Sequence, residues 1–211
     1  MKNKIYQVCL WISTIILILV LLSLMPSKVP VHWDTNGNTQ MGSKYFMIII
    51  YLLPLLIYYG MEFTKKIDPK RKKLEMNKKN YEMLKIIVSG FFVVIEVFVT
   101  YMIFNPHLKI QSAILLIVGL LLVLLGNYIP RVPQNYMLGI KTPWGYDNEV
   151  VWNKTQRVGG YSFVVIGILL MFSIFLPETM AMILLIALLV IDIIGVTIYS
   201  YLVYKKETSV K

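Results

Sequence analysis

"QSAILLIVGLLLVLLGNYI" (residues 111–129) contains no charged residue and no alternation of apolar with polar positions. Wound as an α-helix, a run of this length reaches about 28 Å, the depth of a bilayer's hydrocarbon layer. Comparable runs occur at 5–25, 46–63, 84–104, 158–176 and 180–204. A soluble domain would interrupt such runs every few residues to make amphipathic faces. Within lipid only helices and closed barrels satisfy every backbone group, and the two-residue period of a barrel strand is missing here. The expected fold class is an all-α integral membrane protein with six transmembrane helices. No small-x-small cleavage site follows the first run in "VLLSLMPSKVP", so that run is expected to stay as an anchor. Cys9 is the single cysteine, which rules out a disulfide framework or a cysteine-based metal site.

The 21 Lys and Arg give a formal net charge of +10, and their placement explains the excess. If the N-terminus lies inside, internal segments hold 18 of them: Lys2 and Lys4, nine from Lys65 to Lys85, four from Arg131 to Arg157, and three in the tail. Only Lys28, Lys44 and Lys109 fall outside. The positive-inside rule then puts both termini of this multi-pass protein in the cytoplasm. The charge is a topology signal and calls for no direct nucleic-acid contact. The basic loop "KKIDPKRKKLEMNKKNYEMLK" fits anchoring to anionic membrane lipids, or alternatively docking of an acidic soluble partner.

The chain divides into two three-span parts, 1–104 and 105–211. The first has an external "P-x-H-W" loop and the basic loop; the second has a long cytoplasmic loop at 130–157. Each part has a Pro-rich exit after its first span, "MPSKVP" and "IPRVP", and a lone acid in its third, Glu96 and Asp192. That arrangement fits a 3+3 inverted repeat or a coincidence of placement. An acid at mid-bilayer faces the bundle interior and takes a partner or a proton. With Lys85 counted in the basic loop, the spans offer neither acid a counter-charge. Each therefore acts as a structural hydrogen-bonding group or as a proton-linked or ligand-binding one.

The two long loops carry the richest chemistry. "MPSKVPVHWDTNGNTQMGSK" (residues 25–44) contains an Asn-Gly turn signal, which predicts a folded external hairpin able to touch a ligand. His32 and His107 are too isolated to propose a metal. Pro133, Gly139 and Pro143 make "RVPQNYMLGIKTPW" (residues 131–144) extended or turned. A helix capped by Asp147 is expected to follow, with Val151, Trp152, Thr155 and Val158 on one side, lying on the membrane or on the bundle. Lys154 and Arg157 share another face. A connector needs only a handful of residues, so this loop reads as a contact surface. No Walker loop, His-Glu-x-x-His or Gly-x-Ser-x-Gly motif is present, and no enzymatic activity or cofactor is expected.

"VPVHWDTNGNTQMGSK", and the later "LGNYIPRVPQNYMLGIKTPWGYDNEVVWNKTQRVGG", resemble the two motifs of the SdpI-type bacterial immunity proteins, in the family's order. The resemblance implies protection against a secreted antimicrobial peptide toxin, bound at the membrane, and signal transduction by holding a cytoplasmic transcriptional repressor there. It places toxin-facing residues at Pro30, His32, Trp33, Gly37 and Lys44. Its cytoplasmic signature falls on Arg131, Asn135, Gly139, Lys141, Thr142, Pro143, Trp144, Trp152, Lys154, Thr155, Arg157, Gly159 and Gly160. The alternative from the acids and the repeat pattern is a small proton-linked transporter or toxin exporter.

Overall fold

The computed structural model describes residues 2–33, 39–105 and 111–209. Helix α1 (Lys2–Ile16) continues through a π-helical turn, Leu17–Leu21, into α2 (Leu22–Leu24), making one rod. Strands β1 (Lys28–Trp33) and β2 (Thr39–Ser43) pair antiparallel as the expected hairpin. There follow α3 (Phe46–Ile67), α4 (Arg71–Met76), α5 (Lys78–Phe104), α6 (Gln111–Tyr128) and α7 (Pro143–Asp147), then α8 (Glu149–Phe172) and α9 (Glu178–Ser209). Six of these helical segments are long and apolar enough to cross a membrane. The chain is a mostly helical, multi-pass membrane protein.

The observed helices outrun the apolar runs at several ends. α3 reaches Ile67, α5 starts at Lys78 and α8 at Glu149, where apolarity alone ends or begins at residues 63, 84 and 158. Lys, Glu, Met and Gln are good helix formers, so polar flanking turns stay helical after the hydrocarbon ends. Lys85, already within the run 84–104 though counted with the basic loop, lies inside α5 and is buried, so the spans do contain a cation. Its ammonium pairs with Glu62 at 2.7 Å and Glu82 at 2.8 Å and lies 4.2 Å from the Tyr58 ring centre. It serves those two acids and not Glu96.

Glycine sets the closest helix contact, between α6 and α8. A Cβ built on Gly119 would stand 2.6 Å from the Gly167 carbonyl oxygen, and one on Gly126 would stand 2.5 Å from that of Gly160. The relation is reciprocal, since a Cβ on Gly160 would come within 2.7 Å of the Gly126 oxygen. The partners in each strip are two helical turns apart, so two antiparallel helices meet backbone to backbone at two levels. Lipid chains are as apolar as leucine, so such close packing replaces the hydrophobic effect as the force holding the helices together. Leu115, Ile166, Leu170 and Ala181 extend this contact towards α9. In the other part, α1, α3 and α5 share two clusters, one around Leu10, Leu55 and Tyr58 and one around Leu17, Met25, Met47, Tyr51 and Ile103.

Gly126→Leu should destabilise the folded protein by about 1–3 kcal/mol, the usual cost of overpacking, read as a lower melting temperature in detergent. Gly60→Ala, where an added Cβ meets nothing within 4 Å, should leave melting unchanged or raise it slightly. Equal effects at the two glycines would refute the packing role.

Candidate functional site

Residues 131–148 lie between two spans with only the short α7 as regular structure, so most of their backbone groups need partners from elsewhere. Asn135, fully buried, serves four of them. Its Oδ1 accepts from the N–H groups of Met137 (2.8 Å) and Leu138 (2.6 Å), and its Nδ2 donates to the carbonyls of Pro133 (2.8 Å) and Leu138 (3.1 Å). Gln134 donates to the Gly145 and Tyr146 carbonyls at 2.7 and 2.9 Å. Gln156, on α8, takes the place of a neighbouring strand: it accepts from the Ile140 N–H at 2.8 Å and donates to the Ile140 carbonyl at 2.7 Å. Trp152 donates its indole N–H to the Val132 carbonyl at 3.0 Å.

Gly139 adopts φ +98°, a left-handed conformation that L-residues rarely take. A Cβ there would also meet Gln156 Oε1 at 2.7 Å and the Trp152 ring at 3.1 Å. Both constraints require glycine. Thr142 caps α7 by accepting from the Gly145 N–H at 3.1 Å, and its hydroxyl pairs with that of Ser200 on α9 at 2.7 Å. Trp144 packs on Tyr201 of α9, ring centres 5.2 Å apart. Asn148, not Asp147, caps α8, accepting from Val150 and Val151. Asp147 is the last residue of α7.

The basic loop closes over this assembly. Asp68 accepts from the N–H groups of Lys70 at 2.7 Å and Tyr136 at 2.9 Å, and Lys70 donates to Gln134 at 2.6 Å while lying 5.2 Å from the Tyr136 ring centre. Lys73 pairs with Glu149 at 2.6 Å, and Asn77 donates to the Arg131 carbonyl. Tyr136 stacks on Tyr146 at 5.2 Å. Burial, with Tyr136 and Asp68 nearby, raises the Tyr146 phenol's pKa, so it stays a neutral stacking partner at physiological pH. The two basic-end loops form one folded plate.

Within that plate the signature residues divide. Asn135, Thr142, Trp152, Thr155, Gly159 and Gly160 are buried, and Trp144 and Gly139 are half-buried. Arg131, Lys141, Pro143, Lys154 and Arg157 are exposed, with Lys154 paired to Glu207 at 2.7 Å. Of the two placements expected for the apolar stripe, the bundle is the observed one: Val151, Trp152 and Thr155 pack inside the protein. The helix that carries them runs unbroken into the span. Gln156, Ser200 and Asp68 are participants that the sequence reading missed. Asp68 precedes a proline and bonds two residues on, so an Asx-turn signal was available for it.

At the hairpin end, His32 is exposed and Pro30 half-buried. Val31 is the extra residue of a bulge, and its methyl groups lie 2.8 and 2.9 Å from where a Gly42 Cβ would be. Lys44 turns inward, donating to the carbonyls of Leu22 (3.0 Å) and Met25 (3.5 Å) where the first span ends. Gly37 and the Trp33 side chain lie outside the described residues. Of the two intramembrane acids, Glu96 is fully buried and Asp192 half-buried. Neither Glu96 oxygen, nor Asp192 Oδ1, has a hydrogen-bond partner among the described residues. Tyr51 and Thr100, joined at 2.8 Å, lie on the hairpin side of Glu96, and Tyr6 and Ser89, also at 2.8 Å, on the basic side.

Residues 131–200 match the family model described as the SdpI/YfhL protein family. Over 208 residues the chain is 25% identical to the protein named Immunity protein SdpI of Bacillus subtilis (strain 168), covering 98% of each. No solved structure matches the chain.

Gln156→Leu should destabilise the protein by about 1–3 kcal/mol, because it leaves both polar groups of Ile140 without partners. It should also make the 138–142 segment sensitive to protease, whereas Lys141→Ala should do neither. Limited proteolysis with peptide mapping checks both.

Proposed function

We propose that the chain is a member of the SdpI/YfhL family and an immunity protein that protects a bacterium from a secreted antimicrobial peptide toxin. The end-to-end alignment with a protein named for immunity carries this reading, since it covers both the hairpin and the plate. The toxin is met at the membrane by the hairpin end, where His32 and the bulged Val31 are exposed. Lys44 supports that surface from beneath. A cytoplasmic repressor is held at the opposite end, on the exposed part of the plate: Arg131, Lys141, Pro143, Lys154 and Arg157. The buried signature residues shape this surface without touching the partner.

This reading requires the hairpin outside and both termini inside, which the distribution of Lys and Arg supports. In a Cys9→Ser background, Thr39→Cys should react with a membrane-impermeant thiol reagent on intact cells. Lys72→Cys should react only after permeabilisation. The opposite pattern would invert the orientation.

The functional test is survival of a toxin-sensitive strain without its own immunity gene, with and without this chain. Protection is expected; its absence from cells with normal membrane levels of the protein overturns the reading for that toxin. Arg157→Ala with Lys141→Ala should keep protection and membrane levels but weaken release of the repressor's target gene. A second reading, a proton-linked carrier, rests on Glu96, whose carboxyl has no hydrogen-bond partner among the described residues. Glu96→Gln should abolish gradient-driven transport by a carrier, while an immunity protein that works by binding keeps its protection.

A further inference from the structure

A cleft of about 220 Å³ opens between the two three-span parts at the basic end. Met61 of α3, Leu84 and Val88 of α5, Leu125 of α6 and Phe163 of α8 form its walls, and Leu138 to Ile140 of the plate cap it. Its lining is apolar throughout, so a water inside would find no polar side chain to bond. Ligand pockets for drug-sized molecules run to about 300–1,000 Å³, so this cleft suits a stretch of hydrocarbon chain and not a headgroup. It lies at the ends of membrane-crossing helices, and Met61, Val88, Leu125 and Phe163 are only half-buried, so a lipid chain can reach it.

The rim supplies the second, independent observation. Lys65 stands one helical turn beyond Met61 on the same face of α3 and is only 8% exposed. Unlike Lys85, with its two carboxylates, Lys65 has no carboxylate within salt-bridge distance among the described residues; its ammonium lies 5.3 Å from the Tyr81 ring centre. Arg131, exposed, lies 4.9 Å from the Tyr128 ring centre. Tyr81 and Tyr128 belong to one apolar cluster, and Met61, Leu84, Leu125, Val132 and Leu138 of that cluster also line the cleft. Two cations on aromatic rings therefore border an apolar slot. Glu62 acts on the Lys65 ammonium only from beyond contact distance, so that ammonium can take a phosphate as its direct partner.

We infer that this cleft is a binding site for an anionic phospholipid, with one acyl chain in the slot and the phosphate at Lys65 and Arg131. The inference does not depend on the immunity reading. The purified full-length protein in detergent would be given phosphatidylglycerol or phosphatidylcholine with identical chains and its melting followed. Phosphatidylglycerol should raise the melting temperature more. The double variant Lys65→Met, Arg131→Gln should respond equally to both lipids, and Val88→Trp, which fills the slot, should lose both responses. A preference that survives the double variant, or a wild-type protein indifferent to both lipids, overturns the site. Should Val88→Trp fail to fold, a phosphatidylglycerol with a photoreactive chain end decides on the wild-type protein. Adducts concentrated at residues 84–88 and 138–140 are expected. Adducts spread evenly over the exposed faces of all six spans, α9 included, would overturn it.

Discussion

The structure depends on one constraint: an irregular segment buried at the end of a membrane bundle must have its backbone polar groups satisfied by side chains. Asn135, Gln134, Gln156, Trp152 and Thr142 do this for residues 131–148, each aimed at a carbonyl or N–H that a strand or helix would otherwise have served. An unpaired buried group costs about 1–3 kcal/mol, so several together would exceed a small protein's net stability. This explains why the segment is so rich in polar and aromatic residues. Much of that richness is internal wiring, while Arg131, Lys141 and Arg157 stay exposed.

The wiring in turn depends on where α8 stands. Gln156, Trp152 and Gly159 project from its first turns, and the glycine strip on α6 fixes the spacing of those turns from Ile129 and Pro130. A Cβ on Gly160 would meet Pro130 at 2.5 Å, and one on Gly159 would run into the Ile140 side chain. The two glycines thus serve different neighbours: Gly160 admits α6, and Gly159 admits the plate. A signature that resembles a binding motif is in good part the set of residues that lets a loop dock on two helices.

The sequence declared the spans, the hairpin and the importance of residues 131–160 because each shows in composition, length or turn chemistry. The helix ends were less legible, since flanking Lys, Glu and Gln continue a helix without any apolar signal. Pairings across the fold were not legible at all. Nothing local to Gln156 or Ser200 distinguishes it from other polar residues, and each acquires its role only from a partner 16 or 58 positions away. Lys85 shows the same limit. Counted as loop, it left the acids without a counter-charge; placed in α5, it is the centre of an ion-pair group that still does not reach Glu96.

The two ends of the molecule are joined by α3. The hairpin leads directly into its first turn, with Lys44 and Met47 packed under the first span, and its last turn ends at Asp68 in the plate. A helix of this length spans about 33 Å and is stiff along its axis. Any tilt of α3 at the hairpin end must therefore either bend the helix or move Asp68. Moving Asp68 would break its bond to the Tyr136 N–H and, with it, the Lys70 contact to Gln134. The buried Pro54, which cannot donate to the turn before it, is the natural place for bending. Whether an event at the hairpin reaches the plate therefore turns on which yields first, the helix at Pro54 or the Asp68 clasp. A charge-assisted bond buried at the plate resists more than a helix that already lacks one hydrogen bond, so on these contacts a small tilt is absorbed at Pro54. Only a displacement of the whole helix, along its axis, is passed on.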